Sequence, residues 1–486
     1  MARCTQFEHS DRPMKALRAE DHGHINLLPD DILIGIISRL PIRDAVVTGG
    51  VATRWRHLWK YIPSLCLLPS HINLKGEGED PWSLSEQAPR LAGVVRSVLR
   101  HHCGIGVNKF WFGLPLTGCC HTAELDQVME FVAAAGTRHL GFSLANNYCS
   151  EHAGPHYDFP HWRFTGGHLQ RLFLCCVGLA MAPQRNFERL AQLTYLNLIR
   201  VTVDDDGVAN ILSTCSALIA LYLQDCQQLV HMNMSHGRLL VLDVDNCDNL
   251  RSITIQSSTL TQLVYKGHKV DIKYSHTPAI LKLRILFCMA NECPLDCVGS
   301  AGALPNLKQL FLEFPSPLHA ATCTQLQGVQ HNRCFGGLNR IVLLLKTSWK
   351  EHINSVAYLL VATPSVKELC VDAYSNLPTS PPNSLMIQWP ERCLMKKLQS
   401  IIIGGFSGEA ELMELIFFLL QRSPALRTLA LDTHRRHLRP GKGWNRDEAY
   451  WNREEAEDHV RCYYARGVAL TNLVPKIPSS VKFTIL

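Results

Sequence analysis

The strongest constraint on this fold is a six-residue segment that recurs in the middle of the chain. Leu169-Gln-Arg-Leu172-Phe-Leu174, Leu193-Thr-Tyr-Leu196-Asn-Leu198, Leu218-Ile-Ala-Leu221-Tyr-Leu223, Leu239-Leu-Val-Leu242-Asp-Val244 and Leu260-Thr-Gln-Leu263-Val-Tyr265 share one shape. Their second leucines lie 24, 25, 21 and 21 residues apart. Alternate leucines suit a short strand with one apolar face, and the rest of each period must carry the chain back. No single unit of this size buries its own face, so neighbours must stack. Looser copies follow at Leu307-Lys-Gln-Leu310-Phe-Leu312, Leu338-Asn-Arg-Ile341-Val-Leu343, Val366-Lys-Glu-Leu369-Cys-Val371, Leu398-Gln-Ser-Ile401-Ile-Ile403 and Leu426-Arg-Thr-Leu429-Ala-Leu431. Earlier candidates are Lys109–Phe112 and His139–Leu144.

A period of about 20–29 residues with this template marks leucine-rich repeats, and Cys226 and Cys247 stand where that template carries Asn or Cys. The expected class is α/β: short parallel strands on the concave face, helices or irregular chain on the convex face. A chain of 486 residues is too long for one ordinary core and suits such an array. The predicted divisions are a polar tail at 1–24, a helical unit at 25–66, a linker and first helix at 67–100, repeats at 101–384 and a terminal segment at 385–486.

Residues 27–65 read as three short helices. Pro29 suits a first helical position, and Asp30 and Asp31 favour a helix start. Leu33, Ile36, Ile37 and Leu40 fall at helical spacing, and Pro41 stops the helix. A second helix is expected from Arg43 to about Gly50. A third carries Trp55, Leu58, Trp59 and Ile62 and ends at Pro63. So small a unit buries little core alone, and its two tryptophans are good anchors for a partner.

Leu28-Pro29-Asp30-Asp31, Ile32-Leu33, Ile36, Leu40-Pro41, Asp44-Ala45, Val51 and Arg54-Trp55-Arg56-His57-Leu58-Trp59 resemble an F-box in the form common in plants. The resemblance implies docking on the Skp-type adaptor of a cullin–RING ubiquitin ligase core. The adaptor-binding residues it implies are Leu28, Pro29, Ile32, Leu33, Ile36, Leu40, Pro41, Val51, Trp55, Leu58 and Trp59, with Leu28, Pro29, Ile32 and Leu33 favoured for direct contact. Gly49-Gly50 stands where the family usually has a Ser and an apolar residue. A helical Gly costs about 0.8–1 kcal/mol relative to Ala, so an early end or loose packing of the second helix is expected, with weaker adaptor binding. Trp389-Pro390, Cys393-Leu394, Lys397-Leu398, Gly405-Phe406-Ser407-Gly408, Leu419-Leu420 and Ala425-Leu426 are similar to the FBD segment that ends many plant F-box proteins with leucine-rich repeats. It reads as an enlarged terminal repeat that caps the array.

Nothing in the sequence points to bond chemistry. P-loop, G-x-S-x-G and H-E-x-x-H motifs are missing, and no feature singles out one of the 19 cysteines as a nucleophile. The His101-His102-Cys103 and Cys119-Cys120-His121 runs and the Cys293/Cys297 pair lack zinc-ligand spacing. Asp204-Asp205-Asp206-Gly207 lacks the later ligands of a calcium loop and is expected to start a helix. No metal or cofactor is expected. The net charge of +6 is mild for this length and does not argue for nucleic acid. The basic loop at 434–446, with Trp444, is balanced by the acidic residues after it and is expected to be a solvated insertion. The polar N-terminus is no secretory signal, and no apolar run approaches the 18–20 residues a bilayer requires. Cytosol or nucleus is the expected compartment.

Strand alternation directs Arg171, Phe173, Tyr195, Asn197, Tyr222, Gln224, Asp243, Asp245, Gln262 and Lys266 to the concave face, where they are candidates for holding a target protein. The reading that joins these features is a non-catalytic substrate-recognition subunit of an SCF-type ubiquitin ligase. A repeat scaffold acting outside any ligase, and a module binding a small ligand together with a target, remain as alternatives.

Overall fold

The computed structural model describes residues 24–72, 88–113, 121–144, 157–179, 187–287, 304–314, 337–345, 363–373, 394–433, 436–439, 450–453 and 459–486, with a few positions from 353 to 360 and Trp389. The N-terminal unit consists of α1 (Asp30–Ile37), α2 (Ile42–Val47), a 3-10 turn at Thr48–Gly50 and a longer 3-10 stretch at Thr53–Tyr61. Pro29 and Pro41 sit at the N-caps of α1 and α2, where a missing N–H loses no intrahelical bond. The expected apolar face of α1 divides. Leu33 and Ile37 go inward, Ile36 stays exposed beside Ile32, and Leu40 lies beyond the helix end.

Of the two outcomes expected at Gly49-Gly50, an early end or loose packing, the structure shows the first. The α-helix does end early, at Val47. The packing is close rather than loose, however: a Cβ on Gly49 would lie 3.1 Å from the Arg56 Cα. The third helical stretch is 3-10, so Trp55 and Leu58, three apart, stack along one edge and are both buried.

The chain then enters a 15-stranded, wholly parallel sheet with almost no break. Its first strands are β1 (Ser64–Leu67), β2 (Lys109–Gly113), β3 (His139–Ser143), β4 (Arg171–Cys175), β5 (Tyr195–Ile199) and β6 (Ala220–Gln224). From here two strands alternate in each repeat: β7 (His231–Ser235), β8 (Val241–Asp245), β9 (Ser252–Gln256), β10 (Gln262–Gly267) and β11 (Asp271–His276). The sheet goes on through β12 (Lys282–Phe287), β13 (Gln309–Phe314), β14 (Arg340–Leu345), β15 (Glu368–Ala373), β16 (Ser400–Gly404) and β17 (Thr428–Leu431). β18 (Arg436–Arg439) and β19 (Tyr450–Arg453) form an antiparallel pair, and β20 (Lys482–Ile485) joins β17 as the last strand. The register keeps equivalent leucines abreast: Leu172, Leu196, Leu221, Leu242, Leu263 and Leu283 are consecutive partners, and all are buried. Each contributes about 1.5–3 kcal/mol of burial.

One boundary differs from the sequence reading. The sheet begins at Ser64, so most of β1 lies inside the unit assigned to the helices; the next span holds the expected helix, α4 (Ala88–His101), and one further short helix, α3 (Pro69–Ile72). The convex side is also not all helix or irregular chain. α5 (Thr122–Ala134) and α6 (Asp205–Thr214) cover the longer early repeats, while β7, β9 and β11 form a second parallel sheet behind the 21-residue repeats. A 21-residue period is too short for a strand, two turns and a helix of several turns; a second strand closes it. The acidic run begins α6 as expected: the Asp204 side chain accepts a 2.8 Å hydrogen bond from the Gly207 N–H. Asp205 accepts from the Val230 and His231 amides at the start of β7.

The FBD-like segment forms β16, a turn at Gly405, α7 (Ala410–Arg422) and β17, as an enlarged last repeat should. α8 (His459–Val468) then leads to β20. Of the basic insertion, Arg436–Arg439 pairs with Tyr450–Arg453; its residues 434–435 and 440–446 lie outside the described residues, as do Cys119, Cys120, Cys293 and Cys297.

Candidate functional site

Two surfaces stand out. The first is on the helical unit. Among the described residues, half of the exposed large apolar side chains fall between residues 25 and 61: Ile25, Leu27, Ile32, Ile36, Leu40, Val46, Val47, Val51 and Tyr61. Leu27, Val47 and Val51 are each at least 65% exposed. So dense an apolar surface on a small unit is the mark of an interface. The scaffold under it is fixed by polar ties. The Trp55 indole N–H donates to the Asn26 side-chain oxygen at 2.8 Å, and Arg54 donates to the Asn26 carbonyl and to Asp30.

Of the residues implied for adaptor binding, Pro29, Ile32, Ile36, Leu40 and Val51 are exposed, while Leu28, Pro41 and Trp59 are half-buried. Leu33, Trp55 and Leu58 are 0%, 5% and 5% exposed, which corrects the expectation that they touch a partner. The reason is size: a unit this small needs its largest apolar residues as its own core. Val46 and Val47, on α2, are exposed and were missed; their place next to Ala45 gave no pattern that separates inside from outside.

Hydrogen bonds join the helical unit to the first repeats. The Cys103 N–H donates to the Lys60 carbonyl, and the Asn108 and Lys109 amides donate to the Pro63 carbonyl. Buried His102 donates through Nε2 to the Ile62 carbonyl at 3.1 Å and accepts the Gly104 N–H on Nδ1. Burial lowers its pKa, with the Ile62 bond opposing.

The second surface is the concave face. Its middle row runs in register from Trp111 through Gly141, Phe173, Asn197, Tyr222, Asp243, Val264 and Arg284 to Phe311. Gly141 has no side chain, and the Trp111 ring occupies that space and meets Phe173 at 5.1 Å. Tyr195 and Tyr222 pack at 4.9 Å, and the Arg171 guanidinium lies 5.9 Å from the Tyr195 ring. Lys266 Nζ is 3.1 Å from Asp245. Burial raises the Asp225 pKa, against the pull of Arg200.

The sequence candidates do come together on this face, but not all are open. Arg171 is exposed, and Phe173, Tyr195, Gln224, Asp243, Gln262 and Lys266 are half-buried. Asn197, Tyr222 and Asp245 are only 2%, 3% and 8% exposed, a correction to their reading as open contact residues. On an inward-curving sheet, large neighbours at about 4.8 Å spacing cover one another. Arg284 was missed. Its guanidinium lies 4.3 Å from the Phe311 ring, and burial lowers its pKa while Asp243, Glu313 and Asp245 hold it up. At the other end, Ser64, Cys66, Lys109, Trp111, His139 and Arg171 line a pocket of about 270 Å³. The His139 pKa is lowered by burial and by Arg171, Lys109 and Arg138. Among the described residues no cluster of His, Cys, Asp and Glu could hold a metal ion, and no helix is long and apolar enough to cross a membrane.

These two surfaces define a class: a small helical docking unit fused to a leucine-rich-repeat array. Residues 25–67 match the F-box domain, and residues 98–486 match the At1g61320/AtMIF1 LRR domain. The second match covers most of the chain, and the protein belongs to that leucine-rich-repeat family. It is similar to the F-box/FBD/LRR-repeat protein At1g13570 of Arabidopsis thaliana, 23% identical over 441 residues that span 85% of this chain and 92% of that protein. The FBD-associated F-box protein At5g56370 of the same plant is 22% identical over 83% of this chain and 89% of its own length. The F-box/LRR-repeat protein At3g03360, also of that plant, is 26% identical over 45% of this chain and 42% of its own length.

Proposed function

We propose that this protein is a substrate-recognition subunit of an SCF-type cullin–RING ubiquitin ligase. The F-box docks on a Skp-type adaptor through Ile32, Ile36, Leu40, Val47 and Val51, and the concave face holds a target protein. The chain performs no bond chemistry. It raises the effective concentration of target lysines near a charged conjugating enzyme. The observation that carries the reading is the concentration of exposed apolar residues on the F-box, over a core that Leu33, Trp55 and Leu58 fill. The cytosol or nucleus, where cysteines stay reduced, is part of the proposal; among the described residues the buried cysteines are free thiols, and burial pushes Cys215 up to about 11.

Capture of the full chain on immobilised Skp-type adaptor tests this. Ile36→Asp with Val51→Asp should weaken capture at least tenfold, as expected when buried anchors are lost, while circular dichroism stays unchanged. Failure of the unaltered chain to bind adaptor at micromolar concentration would leave the repeat-scaffold reading instead.

A further inference from the structure

The turn before each concave strand, together with that strand's first residue, forms one rim of the sheet. From β12 to β20 this rim is basic throughout. Lys282, Lys308, Arg340 and Lys367 come from the turns at β12, β13, β14 and β15, and all four are exposed. Lys396 and Lys397 precede β16, Arg427 precedes β17 and Lys482 opens β20; these are exposed as well. Seven consecutive turns thus each supply a cation. Among their described residues the one carboxylate is Glu368, 3.7 Å from Arg340. The other acidic residues of these strands among the described positions, Glu313 and Asp372, lie at the opposite end and are buried. Four residues of strand separate the two rows, roughly 13 Å at about 3.3 Å per residue, which exceeds the screening length of about 8 Å at physiological salt. The rim therefore carries a net positive charge, with Glu368 offsetting Arg340 alone.

A second row runs beside it. On five of these strands, two residues past Arg340, three past Lys308, Lys367 and Arg427 and five past Lys397, the residues Val342, Phe311, Cys370, Ala430 and Ile402 are partners in register, all half-buried; the same position holds Arg284 in β12 and Thr484 in β20. Cations and apolar groups thus run in parallel across the strands, about 7–10 Å apart on all but β16, where the gap is longer. We infer that this half of the concave face is a binding track for an extended acidic segment of the target, with Asp or Glu alternating with apolar residues. In such a segment successive side chains point to opposite sides: one set meets the rim, the other the apolar row. Seven strands at about 4.8 Å spacing span roughly 29 Å, the length of about nine extended residues. A bilayer cannot follow a concave surface. Nucleic acid calls for interleaved aromatics, and the one aromatic in this row, Phe311, is engaged by Arg284.

The inference rests on the receptor reading of the repeats, and its test is independent of the adaptor. The probe is a fluorescein-labelled decapeptide with Glu at alternate positions and Leu or Ala between, measured by fluorescence anisotropy against the full chain. Micromolar binding that weakens at least tenfold between 50 and 300 mM salt is expected, as is at least tenfold loss for Lys308→Glu with Lys367→Glu. Arg251→Glu with Lys273→Glu, on the convex side, makes the same change in net charge and should alter affinity less than twofold. Lys308→Gln with Lys367→Gln should fall between, which guards against misfolding by the reversal. Equal loss in the rim and convex pairs, no binding of the peptide, or equally good competition by a ten-nucleotide oligodeoxythymidine would overturn the track. Adaptor capture measured on the same preparations separates the two ideas: peptide binding without adaptor binding sinks the ligase role and leaves the track standing.

Discussion

At the scale of single residues, the repeats turn on a few positions that leucine spacing does not announce. Cys176, Arg200, Asp225 and Asn246 follow β4, β5, β6 and β8, and all have φ between 51° and 57°. Each concave strand there ends in a left-handed residue, whose N–H donates to the next strand's carbonyl. Side chains also tie turn to turn. His236 Nε2 donates to the Cys215 carbonyl, and Ser257 Oγ donates to the His236 carbonyl, each bond reaching back 21 residues. Gly405 holds the matching place after β16, with φ 70°, and a Cβ there would lie 2.1 Å from the Ala373 carbonyl oxygen. A non-glycine residue in this conformation costs roughly 1–2 kcal/mol, and the clash adds to it. Gly405→Ala should therefore destabilise the C-terminal repeats by more than about 2 kcal/mol, read as an earlier transition in urea denaturation by circular dichroism. Gly50→Ala, with open space around it, should stabilise by about 0.4–1 kcal/mol. If the two variants matched, the steric argument would fail.

At the scale of elements, the leucine template is legible through most of the sheet. Two further copies are just as complete but fall outside the repeats that the sequence assigns. Ile62-Pro-Ser-Leu65-Cys-Leu67 is a copy that gives β1, hidden because Ile62 also ends the F-box. Ile280-Leu-Lys-Leu283-Arg-Ile285 gives β12, and with it Arg284. The convex strands carry period-two alternation in Met232/Met234 and Ile253/Ile255, but the L-x-x-L-x-L template says nothing of the return path. The F-box helices were legible as elements, while the division of Leu33 from Ile36 was not, because both fit a helical face and only the third dimension says which side is covered. The junction element, the end of α4, carries a further consequence. His102 is neutral and buried, and its folded pKa is below the unfolded value of 6.5. Below pH 6.5 the unfolded state binds the proton first, so this residue's stabilisation is whole above 6.5 and is lost as pH falls toward the folded pKa. Hydrogen exchange at Cys103 and Asn108, corrected for intrinsic rates, should show the F-box junction loosening from pH 7.5 to 5.5. His102→Gln should flatten that dependence, and an unchanged slope in the variant would remove His102 as its source.

At the scale of the whole molecule, the F-box and the solenoid share one core. Trp55, Leu58 and Ile62 are continuous with Leu65, Leu67, Leu91 and Val95, and through them with Phe110 and Phe112 of β2. In a stack each unit is stabilised by its neighbours, and the ends require covers. β1, α3 and α4 with the F-box are such a cover at one end. At the other, the last strand β20 keeps an exposed Lys482 on its edge, a common guard against edge pairing. The leucine-rich-repeat match begins at residue 98, within α4, and so does not mark a unit that folds alone. A chain of residues 98–486 lacks β1 and most of α4, leaving the β2 edge and the apolar face around Phe110 uncovered; it should elute as aggregates in size-exclusion chromatography with light scattering. A chain of residues 64–486 keeps that cover and should elute as a monomer, with a lower midpoint of unfolding than the full protein because Ile62 and Trp55 are gone. The stack argument would be wrong if the 98–486 chain were monomeric and unfolded as cooperatively as the 64–486 chain, for then the first repeat would need no neighbour on its outer side.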